Sequence, residues 1–153
     1  MRRHGHLSTL SLRERALGYL TRREYSRQEL YRKLQPHAGD DDLDALLDEF
    51  KQRNWLSDAR YADQMVHARK GKYGSLKVAH ELRSQGVSDE LVGKAVAELQ
   101  LIEKDSARNL WLKKFGAEPK SREEWAKQAR FLQSRGFSTE TITAVLRGEP
   151  EDE

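Results

Sequence analysis

The feature that most constrains this chain is an internal repeat at an offset of 50 residues. Leu82-Arg-Ser-Gln-Gly86-Val-Ser88-Asp-Glu90 lies over Leu132-Gln-Ser-Arg-Gly136-Phe-Ser138-Thr-Glu140, and Leu, Ser, Gly, Ser and Glu coincide. Lys77 and Ala79 fall over Lys127 and Ala129, and Val92, Ala95 and Val96 over Ile142, Val145 and Leu146. A looser copy opens the chain: Leu34, then Gly39, then an acidic cap, then Leu43 to Leu47. The repeated content is one unit of helix, helix, glycine turn and capped helix. Stacked units of this kind bury apolar faces only against their neighbours. The apolar fraction, 37%, is low for one large core and suits small serial cores along an elongated body.

The periodicity is helical throughout. Leu43, Leu46, Leu47 and Phe50 follow i, i+3, i+4, i+7, and Trp125, Ala129 and Leu132 follow i, i+4, i+7. No run of alternating β-branched residues competes. Ser11–Glu14, Ser26–Glu29 and Ser121–Glu124 read as capping boxes. Asp58, Ser75, Ser88 and Ser138 are further N-cap candidates, and Gly39, Gly86 and Gly136 stand where helices stop. The pattern predicts helices over about 11–23, 26–35, 41–54, 58–71, 75–85, 88–101, 103–115, 121–135 and 138–147. The fold class is all-α, three tandem three-helix units resembling helix-turn-helix modules. The expected organisation is a flexible N-terminus (1–10), repeats at 11–57, 58–101 and 102–147, and an acidic disordered tail (148–153).

Charge follows the repeat. Residues 1–35 carry +6, 36–65 −5, 66–94 +3, 95–108 −1, 109–137 +4 and 138–153 −4, within a net charge of only +3. The basic segments hold the first two helices of each unit, which points to a polyanion partner, because Lys and Arg contacts to phosphates supply sequence-independent affinity. Candidate binding residues are Arg22, Arg23, Arg27, Arg32 and Lys33 in the first unit. Arg69, Lys70, Lys72, Lys77 and Arg83 are those of the second, and Lys113, Lys114, Lys127 and Arg130 those of the third. Solvated faces with i, i+4 pairs such as Glu29–Lys33 and Glu123–Lys127 are the plainer reading of the same charges. Tyr73, between Gly71 and Gly74 and beside Lys70 and Lys72, is either a base-stacking side chain in an exposed loop or a core-packed turn residue. Major-groove reading by the last helix of a unit is disfavoured: the first such helix opens on Asp40, Asp41, Asp42 and Asp44. Those acids complement the helix dipole instead.

Other chemistry is not supported. The Asp40–Asp44 run fails as an EF-hand, with Ala45 at the glycine position and Lys51 at the final ligand position. The five His residues form no His-x-x-x-His pair, and no phosphate-binding loop or nucleophile elbow occurs. No cofactor, metal or enzymatic activity is expected. There is no Cys and no apolar run of membrane-span length, and cytosol is the natural compartment.

Four stretches resemble the RecX family, regulators of the RecA recombinase. They are Arg15 to Leu34 with its Ser-Arg-x-Glu-Leu element, Asn54-Trp-Leu-Ser-Asp-Ala-Arg-Tyr-Ala62, Lys72 to Leu82, and Gln128 to Phe137. One departure is Ser75, where many members carry Pro after Tyr-Gly; Ser can cap the same helix. The resemblance implies an elongated, curved, monomeric protein that binds the groove of the RecA–single-stranded DNA filament, with double-stranded DNA a further candidate ligand. It implies negative regulation: blocked extension and lower ATP hydrolysis, strand exchange and co-protease activity, in DNA repair, recombination and the SOS response. The alternatives are a stand-alone nucleic-acid-binding repeat protein and a scaffold that uses its acidic helices for protein contacts.

Overall fold

The structure, a computed structural model, describes residues 10–148. The flexible terminus expected before it, and the acidic tail beyond Gly148, lie outside the described residues. Within them the chain is helical and contains no strand. The helices are α1 (Leu12–Leu20), α2 (Arg27–Leu34), α3 (Leu43–Gln52), α4 (Asp58–Arg69), α5 (Ser75–Ser84), α6 (Asp89–Gln100), α7 (Glu103–Lys114), α8 (Arg122–Ser134) and α9 (Thr139–Leu146). A short 3-10 turn, Gln35–His37, follows α2. Each expected helix is present, its ends matching or falling up to three residues short of those expected.

Serine caps set most of the starts. Ser11 closes a full capping box: its Oγ accepts from the Glu14 amide at 3.0 Å, and Glu14 Oε1 accepts from the Ser11 amide at 3.0 Å. The other two boxes are half-formed. Ser26 Oγ accepts from the Glu29 amide at 3.0 Å, but Glu29 is drawn off by Arg23 at 2.7 Å. Ser121 Oγ accepts from the Glu124 amide at 3.1 Å, while Glu124 reaches one residue further, to the Lys120 amide at 2.9 Å. Ser88 and Ser138 cap α6 and α9 as expected. Two assignments are corrected. Ser57, not Asp58, caps α4, its Oγ accepting from the Arg60 amide at 3.1 Å. Ser75 is the buried first residue of α5 rather than its cap, and its own amide is capped by Glu103.

The chain forms two compact units. Unit 1 comprises residues up to Tyr61 together with Gln85–Val87. Its core is Ala16, Tyr25, Leu30, Leu34, Leu43, Leu47, Phe50 and Leu56. Unit 2 holds Ala62–Ser84 and the chain from Ser88 onward, so the second and third repeats share it. There α5 packs on α6, and α9 packs on α7 and α8. Ala107, Trp111, Leu132, Phe137, Ile142, Val145 and Leu146 fill the centre of the third repeat. The buried Trp111 indole donates to Gln128 Oε1 at 2.7 Å, and Gln128 Nε2 donates to the Ala117 carbonyl at 3.1 Å, so both polar groups are satisfied.

Unit 2 is knit by backbone. The Gly74 amide donates to the Arg135 carbonyl at 2.8 Å, and the Leu76 amide to the Gly136 carbonyl at 3.1 Å. Gly136 has φ +89, and a Cβ there would stand 2.7 Å from the Lys77 amide nitrogen. The buried Glu103 carboxylate accepts from the Ser75 amide at 3.1 Å and from Thr141 Oγ1 at 3.1 Å, tying α5 to α9. Unit 1 repeats the device. Asp58 Oδ1 accepts from the Arg27 amide at 2.8 Å, and Gly86, at φ +77, lies against Gln28. In each unit an acid at the head of one helix caps another, and the repeated glycine fits against the helix so capped. That contact is the physical content of the 50-residue repeat.

Candidate nucleic-acid interface

In unit 1, α2 and the turn before it carry the basic residues. Arg22, Arg32 and Lys33 are exposed. Lys33 Nζ lies 5.0 Å from the Tyr19 ring centre rather than on Glu29. Arg23 forks onto Glu29 at 3.2 and 2.7 Å and stacks 3.7 Å above the Tyr25 ring. The Glu29 hydrogen bond raises its pKa. Arg27 reaches across to α3, 2.8 Å from Asp48 and 3.2 Å from Asp44. Arg23 and Arg27 are thus occupied within the fold, which leaves Arg22, Arg32 and Lys33 as the cations of this helix and the turn before it without a carboxylate among the described residues.

A second cationic feature of unit 1 was not apparent in the sequence. Trp55, 39% exposed, has the guanidinium groups of Arg13 and Arg53 at 5.8 and 5.1 Å from its ring. Glu49 lies between those arginines, 2.7 Å from Arg13 and 2.8 Å from Arg53. Their hydrogen bonds, Arg13 first, draw its carboxyl down to about 2.

Unit 2 gathers more. Tyr73, half-buried in the turn between α4 and α5, has three cations around its ring: Lys77 Nζ at 5.1 Å, Arg135 Cζ at 5.4 Å and Arg69 Cζ at 5.8 Å. Arg69 is held bidentate by Glu81 at 3.1 and 3.0 Å. Arg135 also lies 5.3 Å from the Phe131 ring, which has Lys114 Nζ 5.3 Å away and Phe115 edge-on at 5.6 Å. A ladder of alternating cations and rings therefore runs from Tyr73 through Arg135 and Phe131 to Lys114. It brings together Lys77 of the second repeat and Lys114 of the third. Lys70, Lys72, Lys113, Lys127 and Arg130 are exposed without a carboxylate among the described residues. Arg83 is 4.0 Å from the fully exposed Asp89, a weak pair. Arg135 and Phe131 were absent from the expected set. The repeat carried no signal for either, since Arg135 aligns with the uncharged Gln85 and Phe131 with Glu81.

Among the described residues no three His, Cys, Asp or Glu side chains are grouped to hold a metal ion, and no helix is long and apolar enough to cross a membrane.

Fold and surface together define an all-helical protein of tandem three-helix units with a cation–aromatic face. Family models for the first, second and third three-helix domains of RecX match residues 13–49, 57–96 and 102–146. The chain belongs to the RecX family. "Regulatory protein RecX" of Ralstonia pickettii is 46% identical over 143 residues, covering 93% of this chain and 90% of the relative. That of Neisseria meningitidis is 40% identical over 138 residues, 90% of each. The crystal structure of RecX from Lactobacillus salivarius superposes with a TM-score of 0.74 at 18% identity, over 90% of this chain and 93% of that one. This last likeness is one of fold.

Proposed function

We propose that this chain is a negative regulator of RecA that binds the RecA–single-stranded DNA filament within its groove. There it limits extension, ATP hydrolysis, strand exchange and co-protease activity, as a cytoplasmic, non-enzymatic factor in DNA repair, recombination and the SOS response. The observation that carries this reading is membership of the RecX family along nearly the whole chain. All three helical domains match in order, which supports working repeats at 11–57, 58–101 and 102–147. The basic residues of α2 and those around Tyr73 supply the phosphate contacts in this reading, while RecA supplies the nucleotide chemistry.

The test is a titration into RecA, single-stranded DNA and ATP. ATP hydrolysis falls as the protein is added, and the protein binds RecA-coated strands more tightly than bare ones. Unchanged hydrolysis together with equal affinity for coated and bare DNA overturns the proposal. Neutralising about five phosphates gives a log–log salt slope near −3.5 on single strands. A flat slope removes direct DNA contact from it.

A further inference from the structure

We propose that the cluster centred on Tyr73 is a single-stranded nucleic-acid site. An unpaired base stacks on the Tyr73 ring, and Lys72, Lys77, Lys114 and Arg135 hold the flanking phosphates. The assignment deepens the regulator reading and rests on it only for the source of the strand.

Charge is the first argument. Glu81 neutralises Arg69 through two hydrogen bonds, whereas Lys72, Lys77, Lys114 and Arg135 have no carboxylate among the described residues. Four cations around two rings form a strongly positive patch. The second argument is geometry. The ring centres of Tyr73 and Phe131 are separated by no more than the two distances to the guanidinium between them, 5.4 and 5.3 Å. One guanidinium thus sits between two rings, near enough for a single strand to meet both, as on stacking platforms for single strands. The third is rigidity. The Tyr73 amide donates to the Arg69 carbonyl at 3.0 Å, and the Gly74 amide to the Arg135 carbonyl at 2.8 Å. Arg135 Nη1 donates to the Lys72 carbonyl at 3.2 Å. The loop is therefore ordered before a ligand arrives, which lowers the entropy cost of binding.

The chemistry selects the occupant. A duplex hides its base faces, so the ring has no role there. An acidic peptide would pair with the lysines but leave the aromatic face without a function. A single strand uses both.

The full chain is tested by fluorescence anisotropy with labelled oligo(dT), without RecA. Tyr73→Leu binds roughly tenfold more weakly, the scale of one lost stacked base, and Tyr73→Phe stays within about twofold. Lys77→Gln keeps the stem packed on Gly136 and shallows the log–log salt slope by about 0.7, the value for one lost phosphate contact. Circular dichroism checks the fold of each variant. If Tyr73→Leu fails to fold, Tyr73→Trp gives the readout: its added fluorescence, taken against wild type, is quenched by oligo(dT). A folded Tyr73→Leu with wild-type affinity, an equal loss in Tyr73→Phe, or an unquenched Tyr73→Trp overturns the site. RecA ATPase assays run in parallel separate the two readings. If Tyr73→Leu relieves inhibition yet binds oligo(dT) normally, the cluster meets protein and the nucleic-acid assignment fails. If Tyr73→Leu loses oligo(dT) but even wild type leaves RecA unaffected, the site stands and the regulator reading falls.

Discussion

Glu103 Oε1 accepts the Ser75 backbone amide at 3.1 Å, across 28 residues of sequence and with both side chains buried. The same carboxylate accepts from Thr141 Oγ1 at 3.1 Å and, at a long 3.5 Å, from the Ser138 amide. One acid at the head of α7 thus holds the starts of α5 and α9. Removing it leaves the buried Ser75 amide without a partner and takes from the Thr141 hydroxyl its acceptor, leaving that oxygen only its 3.0 Å contact with Ser138 Oγ. Hydrogen bonds to a charged group are worth about 1.5–3 kcal/mol each. Glu103→Ala is expected to lower stability by about 3 kcal/mol, and Glu103→Gln, which keeps an acceptor, by about 1 kcal/mol. Urea unfolding followed by circular dichroism checks both; equal stability of Glu103→Ala and wild type contradicts the role.

The three turn glycines should respond differently to alanine. Gly39, at φ +56, has open space around it, so Gly39→Ala pays only the left-handed backbone strain, about 1 kcal/mol. Gly86→Ala adds a clash with the Gln28 side chain, including its Cβ at 2.8 Å, which a change of rotamer relieves in part. Gly136→Ala meets the Cβ and the backbone nitrogen of Lys77, the latter at 2.7 Å, and backbone cannot swing aside. The expected order of destabilisation is Gly136→Ala, Gly86→Ala, Gly39→Ala, the first above about 3 kcal/mol. Melting temperatures of the three variants give the order directly.

Local rules made the helices legible and distant contacts did not. Caps at Ser11, Ser88 and Ser138 and stops at Gly86 and Gly136 depend on neighbours within a few residues, so spacing alone reveals them. Asp58 reads in sequence as an N-cap, but Ser57 caps that helix and the Asp58 carboxylate serves the Arg27 amide, 31 residues away. Nothing in the local spacing singles out Glu103; only packing brings its carboxylate to the starts of two other helices. The basic residues were visible as segments, yet nothing in spacing told Arg27, bound to Asp44 and Asp48, from Arg32 beside it. Arg135 was one cation among 28 Lys and Arg until the fold laid it between Tyr73 and Phe131.

Acid should loosen the Trp55 corner of unit 1. Hydrogen bonds from Arg13 and then Arg53 lower the Glu49 carboxyl from 4.5 to about 2 in the folded chain. A group whose folded pKa is depressed stabilises fully above its unfolded pKa, and that contribution is lost as pH falls through the folded value. The window is therefore from about pH 4.5 down to about 2. Wild type loses stability over this range more steeply than Glu49→Gln, which has no carboxyl to protonate. Denaturant unfolding at stepped pH checks the difference, and parallel profiles for the two proteins contradict it.

Charge reversal on α2 should separate fold from binding. Arg27, its side chain about one-third exposed, bridges α2 to Asp44 and Asp48 of α3, both mostly exposed. Arg27→Glu removes that bridge and sets a third acid beside the two. An exposed pair is worth about 0.2–1 kcal/mol, so the reversal should cost about 1 kcal/mol. Arg32→Glu and Lys33→Glu break no carboxylate pair among the described residues and should stay within about 0.5 kcal/mol of wild type. If α2 meets DNA phosphates, Arg32→Glu with Lys33→Glu weakens binding to RecA-coated single strands at unchanged stability. Arg27→Glu instead lowers the unfolding midpoint even without DNA. Urea midpoints and filament affinities, measured on the same preparations, separate the roles. If all three reversals lower stability equally, Arg32 and Lys33 are structural too, and the phosphate contacts belong elsewhere on the protein.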